Sequence, residues 1–254
     1  MNRELATPRT YQAMIAVGRG LFAAVRLRPR VAGAEHLSER GGAVLAITHF
    51  GYLDFAFTEW VVWRHNRRWI RFLATSAAFA HPLSGPLLRA MRHVPVDRAD
   101  GSDAYRHAVE AARAGHLVGL FPEGQVTRDW DEVLPCAGGA VRIAAAAGVP
   151  LVPVAVWGGH RVLTKIHRFS PRAAGGATIS VRVGRPVAVT QEQAGREAGP
   201  WLRSLLQDLM IEAQDDYPDQ PRGDVDRWWL PNRLAAASSH ERTSDPRDES
   251  SATG

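Results

Sequence analysis

Lysine is all but missing from this chain of 254 residues: of its 31 basic residues only Lys165 is not arginine. Cysteine is as scarce. Cys136 stands alone, which excludes an intramolecular disulfide and suits a reducing compartment. No apolar run reaches the ~20 residues that a spanning helix needs. The longest uncharged stretches, residues 72–88 and 143–159, both contain prolines and read as core, so the chain is not expected to cross a membrane. Nor does the N-terminus read as a secretion signal, because Glu4 and then Pro8 interrupt it. There is no His-Glu-x-x-His and no cysteine pair, so no metal is expected. The Gly-x-Ser-x-Gly elbow of a serine hydrolase is absent too. No basic run exceeds Arg67-Arg68 and no nucleic-acid module is recognisable, so nucleic acid is not an expected partner.

What is present describes one folded domain: 45% apolar and 22% charged residues, with a formal charge of +5. Arginine carries that charge, and its planar fork holds two phosphate oxygens at once. Such a balance suits phosphorylated substrates or an anionic lipid surface without choosing between them.

Tyr11, Met14, Ile15, Leu21, Phe22 and Val25 recur at helical spacing, with Arg9, Arg19, Arg26, Arg28 and Arg30 around them. This basic amphipathic helix fits contact with a membrane surface, or equally a helix packed on the core. Gly18-Arg19-Gly20 imitates a dinucleotide fingerprint but lies inside the helical stripe rather than after a strand. From residue 42 the text alternates. Strands are expected at 43–48, 70–74, 94–96, 117–121, 151–156 and 178–183, and helices near 54–65, 83–91, 103–114, 139–147 and 200–216. The alternation predicts an α/β fold, a mixed sheet flanked by helices, behind the N-terminal amphipathic helix. After Tyr217 a Pro-rich segment with Trp228-Trp229-Leu230-Pro231 is expected to pack back on the body. From about residue 236 the composition predicts disorder.

Among ten histidines, His49 stands apart because it ends the apolar run 43–48 and Asp54 follows five residues later. In α/β sheets, ligands and catalysts gather where strands end. The glycine-bearing Phe50-Gly51-Tyr52-Leu53 turn can fold the carboxylate back onto the imidazole. A carboxylate on one ring nitrogen fixes the tautomer and makes the other a better base. Alone, the pair also fits a satisfied loop histidine.

Other blocks stand beside it. Val94-Pro95-Val96-Asp97-Arg98, Phe121-Pro122-Glu123-Gly124 and Val149-Pro150-Leu151-Val152-Pro153 each accompany an apolar strand. Together with His49 and Asp54 they resemble, in order and over about residues 40–190, the 1-acylglycerol-3-phosphate acyltransferase family. The resemblance implies transfer of an acyl chain from acyl-CoA or acyl carrier protein, a co-substrate rather than a bound cofactor, to a lysophospholipid hydroxyl. His49 becomes the general base and Asp54 its orienting carboxylate. Arg98, Glu123 and Gly124 become the acceptor site, with Gly51 or Gly124 N–H as candidate oxyanion donors. Arg98 also fits a structural pair with Asp97, and Glu123 either a glycerol hydroxyl or the organisation of the loop around Arg98. The chain is therefore divided into residues 1–30, the amphipathic membrane-surface helix, 31–217, the acyltransferase domain that the resemblance implies, and 218–254, an extension. The resemblance implies membrane lipids as partners, and a cytoplasmic protein peripheral on the inner face of the cell membrane.

The chain also departs from the family pattern. Where the family continues Phe-Pro-Glu-Gly-Thr-Arg-Ser, this chain reads Gln125-Val126-Thr127-Arg128, so Val126 replaces an arginine and Arg128 is the substitute two residues on. The family's lysine before the next helix is replaced at Ala137-Gly138, with Arg142 one turn later. These changes leave room for another lipid or glycolipid acceptor, and a non-catalytic lipid-binding module is the third reading. The intact His49 and Asp54 argue against that third reading.

Overall fold

The computed structural model describes residues 8–97 and 99–235. Arg98 and the tail expected to be disordered from about 236 lie outside the described residues.

Seven strands form one mixed sheet: β1 (Arg28–Ala32), β2 (Ala43–Ile47), β3 (Ile70–Thr75), β4 (Val94–Val96), β5 (Leu117–Leu120), β6 (Leu151–Trp157) and β7 (Thr178–Val183). Their order is β1-β7-β6-β2-β5-β3-β4, and every pairing is parallel except β6 with β7. β2 and β6 are buried along their whole length, as parallel strands covered on both faces must be. Gly119 in β5 is required by packing, since a Cβ there would come within 2.6 Å of Ile70 and 2.9 Å of the Phe72 ring. β1 was not expected from sequence. Its Arg-Pro-Arg text carries no apolar alternation, and it sits exposed at the sheet edge, where proline and charge are tolerated.

Helices cover both faces. α5 (Ser102–Arg113), α6 (Gly139–Ala147) and α8 (Ala198–Asp215) bury Ala108, Val141, Leu202, Leu206 and Met210 against one face. On the other, α2 (Asp54–Asn66) buries Phe57, Val61 and Val62 against Ile70, Phe72, Val154 and Val156. Two short helices, α3 (Ser76–Ala80) and α4 (Ser84–Ala90), connect β3 to β4, and α7 (Pro171–Ala174) precedes β7. Residues after Tyr217 do pack back: Trp229 is fully buried, Trp130 Nε1 donates to Trp228 O at 2.7 Å, and Arg161 lies over the Trp229 ring at 4.2 Å.

α1 (Arg9–Ala24) is tied to the body by Tyr11, which has no exposed surface. Its hydroxyl lies 2.7 Å from Glu59 Oε2 and 2.8 Å from Ile70 O. One hydroxyl proton cannot serve two acceptors, so the second bond calls for a proton on Glu59. Burial supplies the reason, pushing that carboxyl up to about 8. A carboxyl raised on folding gives stability that is complete below its unfolded value of about 4.5 and lost as pH rises through about 8. Glu59→Gln mimics the protonated acid. Its Tm relative to wild type is therefore expected to improve by roughly 3 °C or more between pH 6 and pH 9, the shift that about 1 kcal/mol gives a chain of this size. A gap that stays constant with pH would show that Glu59 does not titrate in the fold.

Candidate active site

Three adjacent parallel strands, β5, β2 and β6, end at one edge of the sheet, and the segments that follow them build the site. β2 delivers His49, β5 delivers Phe121 to Gly124, and β6 delivers Gly158-Gly159-His160.

After His49 the chain turns through Gly51 into α2, whose first residue is Asp54. A carboxylate in a first helical turn is favoured by the macrodipole. Asp54 Oδ2 accepts the Gly51 N–H at 2.7 Å and lies 3.6 Å from His49 Nδ1. That separation suits an ion pair and is longer than a hydrogen bond; such catalytic contacts often tighten only with substrate bound. Asp54 is fully buried, and burial pushes its carboxyl above the ordinary range against the lowering pull of His49 and the Gly51 and Phe50 N–H groups. With Nδ1 facing Asp54, Nε2 is the nitrogen left to act as base. The imidazole stacks on Phe121, centroids 4.0 Å apart, and Phe121 in turn stacks on Phe72.

Glu123 is placed behind the histidine. Its Oε1 accepts the His49 backbone N–H at 2.7 Å and its Oε2 accepts the Leu134 N–H at 3.0 Å. Thr127 N–H closes the arrangement by donating to His49 O at 3.0 Å. Burial pushes Glu123 up to about 7, opposed by those two amides. The carboxylate therefore organises the loop under His49. Gly124 takes a left-handed φ of 67° in the turn that follows and faces open space.

The oxyanion donors suggested by sequence are engaged elsewhere: the Gly51 N–H serves Asp54, and the Gly124 N–H donates to Phe121 O at 3.0 Å. Val126 is buried, whereas Arg128 and Arg142 are exposed. Arg98, the remaining candidate, lies outside the described residues.

Sequence reasoning missed the β6 loop. A Cβ on Gly51 would meet Gly159 C at 2.7 Å and His160 N at 2.9 Å, and one on Gly159 would collide with Asp54 Oδ1. Two glycines directly after a buried strand, Gly158-Gly159, were the available signal for close backbone approach. Behind them His160 is fully buried between Trp130 and Trp157, its Nε2 3.1 Å from Trp229 O, and burial holds it down at about 3.

Comparison with known proteins agrees with this architecture. A 1-acyl-sn-glycerol-3-phosphate acyltransferase of Bacillus subtilis is 31% identical over 130 residues, 51% of this chain and 62% of the relative. One from Limnanthes douglasii is 27% identical over 135 residues, 52% of this chain and 46% of the relative. The chain thus spans less than two thirds of either relative. The crystal structure of the 1-acyl-sn-glycerophosphate acyltransferase PlsC from Thermotoga maritima shares the fold, with a TM-score of 0.64 at 20% identity over 82% of this chain and 81% of that one. A family model described as Acyltransferase matches residues 28–157, half of the chain, from β1 to the end of β6. The chain belongs to the acyltransferase family.

Proposed function

We propose that the protein moves an acyl chain from acyl-CoA or acyl carrier protein to the free hydroxyl of a lysophospholipid, with 1-acylglycerol-3-phosphate as acceptor and phosphatidic acid as product. The observation that carries this reading is His49 at the end of the central strand, its Nδ1 facing a fully buried Asp54 within the family-matched region. His49 Nε2 takes the acceptor's hydroxyl proton as its oxygen attacks the thioester carbonyl. Asp54 stabilises the imidazolium so formed. Collapse of the tetrahedral adduct breaks the C–S bond, leaves the new ester, and returns the proton to the departing thiolate. An aromatic row from exposed Phe55 through Phe72 and Phe121 to His49 gives an acyl chain an apolar route to that base.

The phosphate on the acceptor is supported by the relatives' names and by Arg98, whose planar fork suits it. Buried Val126 favours a second reading, a less anionic lipid acceptor, because the cation usual at that position is missing. Incubation with acyl-CoA and either 1-acylglycerol-3-phosphate or an uncharged monoacylglycerol, read by lipid mass spectrometry, separates the two. Phosphatidic acid is the expected product. Acylation of the uncharged lipid alone would leave an acyltransferase with a different acceptor.

No helix among the described residues is long and apolar enough to cross a membrane. A peripheral position on an anionic bilayer is supported by exposed Val17 and Leu21 on α1, Tyr52 and Phe55 at the start of α2, and Ile166 and Phe169 beside Lys165 and Arg168. These segments are connected: Tyr52 N–H donates to Leu163 O, and Phe22 packs on Phe57 with centroids 4.9 Å apart. Removing α1 would also remove Tyr11 from the core, so point changes are the cleaner probe. Leu21→Glu with Phe169→Glu is expected to cut sedimentation with anionic vesicles by roughly tenfold or more, since each apolar side chain brings ~1.5–3 kcal/mol on full burial. Unchanged sedimentation would reduce α1 to core packing.

A further inference from the structure

A cleft lies at the other end of the sheet from His49, where β3 and β5 begin. It has a volume of about 360 Å³ and is lined by Arg71, Arg92, His93, His107, Glu110 and His116, with Val94, Pro95, Ala111 and Ala114 between them. His93 and His116 are buried and form its floor, while Arg92, His107 and Glu110 are exposed at its rim.

The hydrogen bonds fix what this floor offers. His93 Nδ1 accepts the Phe72 N–H at 3.1 Å, so in the neutral ring Nε2 carries the proton. Arg71 Nη2 lies 2.8 Å from His116 Nε2, and a guanidinium only donates, so that nitrogen accepts and Nδ1 carries the proton. Both imidazoles are therefore neutral and each keeps an N–H donor. Burial holds each at about 4, and for His116 the guanidinium charges of Arg71, Arg68 and Arg92 lower it further. Among the described residues Glu110 is the one acidic side chain lining the cleft, against Arg71 and Arg92. Arg92 adds a backbone observation. It holds a φ of +59° at the end of α4, a left-handed conformation that glycine takes freely and other residues rarely do.

The geometry points to a binding site for a small phosphorylated anion in this cleft, held by Arg71 and Arg92 over His93 and His116. Guanidinium forks and imidazole N–H groups converging on one concavity are the donor set that phosphate oxygens require. The volume exceeds that of inorganic phosphate and admits a phosphate monoester of modest size. A bound dianion would offset the guanidinium repulsion on His116 and raise both histidines toward their ordinary value. Because this cleft and His49 lie at opposite ends of β5, the proposal stands whether or not the acceptor assignment does.

The test is calorimetric titration of the full chain with inorganic phosphate and with phenyl phosphate, in an Arg98→Ala background that silences the candidate acceptor site. Saturable binding is expected. Arg92→Gly should weaken it at least roughly tenfold, the size of one charge-assisted bond. Glycine accepts the same φ, so the change adds no backbone strain. Glu110→Gln, which removes the opposing charge, should tighten binding several-fold. A vesicle arm with phosphatidic acid against phosphatidylcholine distinguishes a lipid headgroup from a free anion. Arg92-dependent binding of phosphatidic acid vesicles alone assigns the same site to a headgroup. No saturable binding of any probe at about 10 mM, or affinities indifferent to both Arg92→Gly and Glu110→Gln, would overturn the site.

Discussion

Replacing His49 by alanine is expected to lower acyl transfer by a factor of ~10²–10⁴, the usual worth of a positioned general base, while leaving the fold intact. The ring is partly exposed and stacks on Phe121, so its removal opens no buried cavity of consequence. Asp54→Asn is expected to lose a similar or larger factor through loss of tautomer control and of imidazolium stabilisation. Its effect on stability has the opposite sense. Asp54 is fully buried and burial disfavours its charge, so a neutral isostere should hold or raise the Tm. A function lost while stability is kept is the signature of a group held at a cost for chemistry. Thiol release from acyl-CoA, read beside a circular-dichroism melt, checks both variants. A folded His49→Ala protein that keeps more than about a tenth of wild-type activity would remove His49 from the role of base.

The parts of this molecule legible in the sequence are those whose physics is local. β2 and β6 are unbroken apolar runs because both their faces are covered, and α6 is a short alanine-rich stretch ended by Gly148 at a φ of 67°. The place of His49 could be read for the same reason, since it closes one of those runs. β1 was hidden because an edge strand has no buried face to impose a pattern on its residues. Glu123 shows a subtler limit. The resemblance sets it in acceptor binding, and its position after β5 is compatible with that, but no spacing reveals that its two oxygens meet amides 74 and 11 residues away. The His160 aromatic cage is likewise assembled from Trp130, Trp157 and Trp228, which only the sheet topology brings together. The sequence shows which residues can do chemistry. Long-range packing decides which of them face the substrate and which hold the others in place.

Gly159→Ala is expected to cost about 10²-fold in activity, although this residue touches neither nucleophile nor thioester in the mechanism proposed. Its φ lies outside the left-handed range, so an alanine meets no backbone strain there. The obstacle is the carboxylate. A Cβ at position 159 would lie well inside van der Waals contact of Asp54 Oδ1 and 3.3 Å from the Phe57 ring. Asp54 cannot retreat easily, because Oδ2 is held by the Gly51 N–H at 2.7 Å and its backbone oxygen accepts the Thr58 hydroxyl at 2.9 Å. Either Asp54 moves away from His49 Nδ1 or the β6 loop lifts off Gly51, and a misplacement of about 1 Å in a catalytic group is enough for the stated loss. Gly148→Ala, at the end of α6 and away from the site, is the control. That position has open space around it and only a left-handed φ to strain, so it should cost stability of the order of 1 kcal/mol with a far smaller kinetic effect. The measurement is kcat and KM for both variants with acyl-CoA and acceptor, alongside their melting curves. A loss confined to kcat in Gly159→Ala, with KM near wild type, marks a displaced base and orienter rather than a blocked binding site. If Gly159→Ala turns over at the wild-type rate, the buried Asp54 carboxylate is not what holds His49 ready.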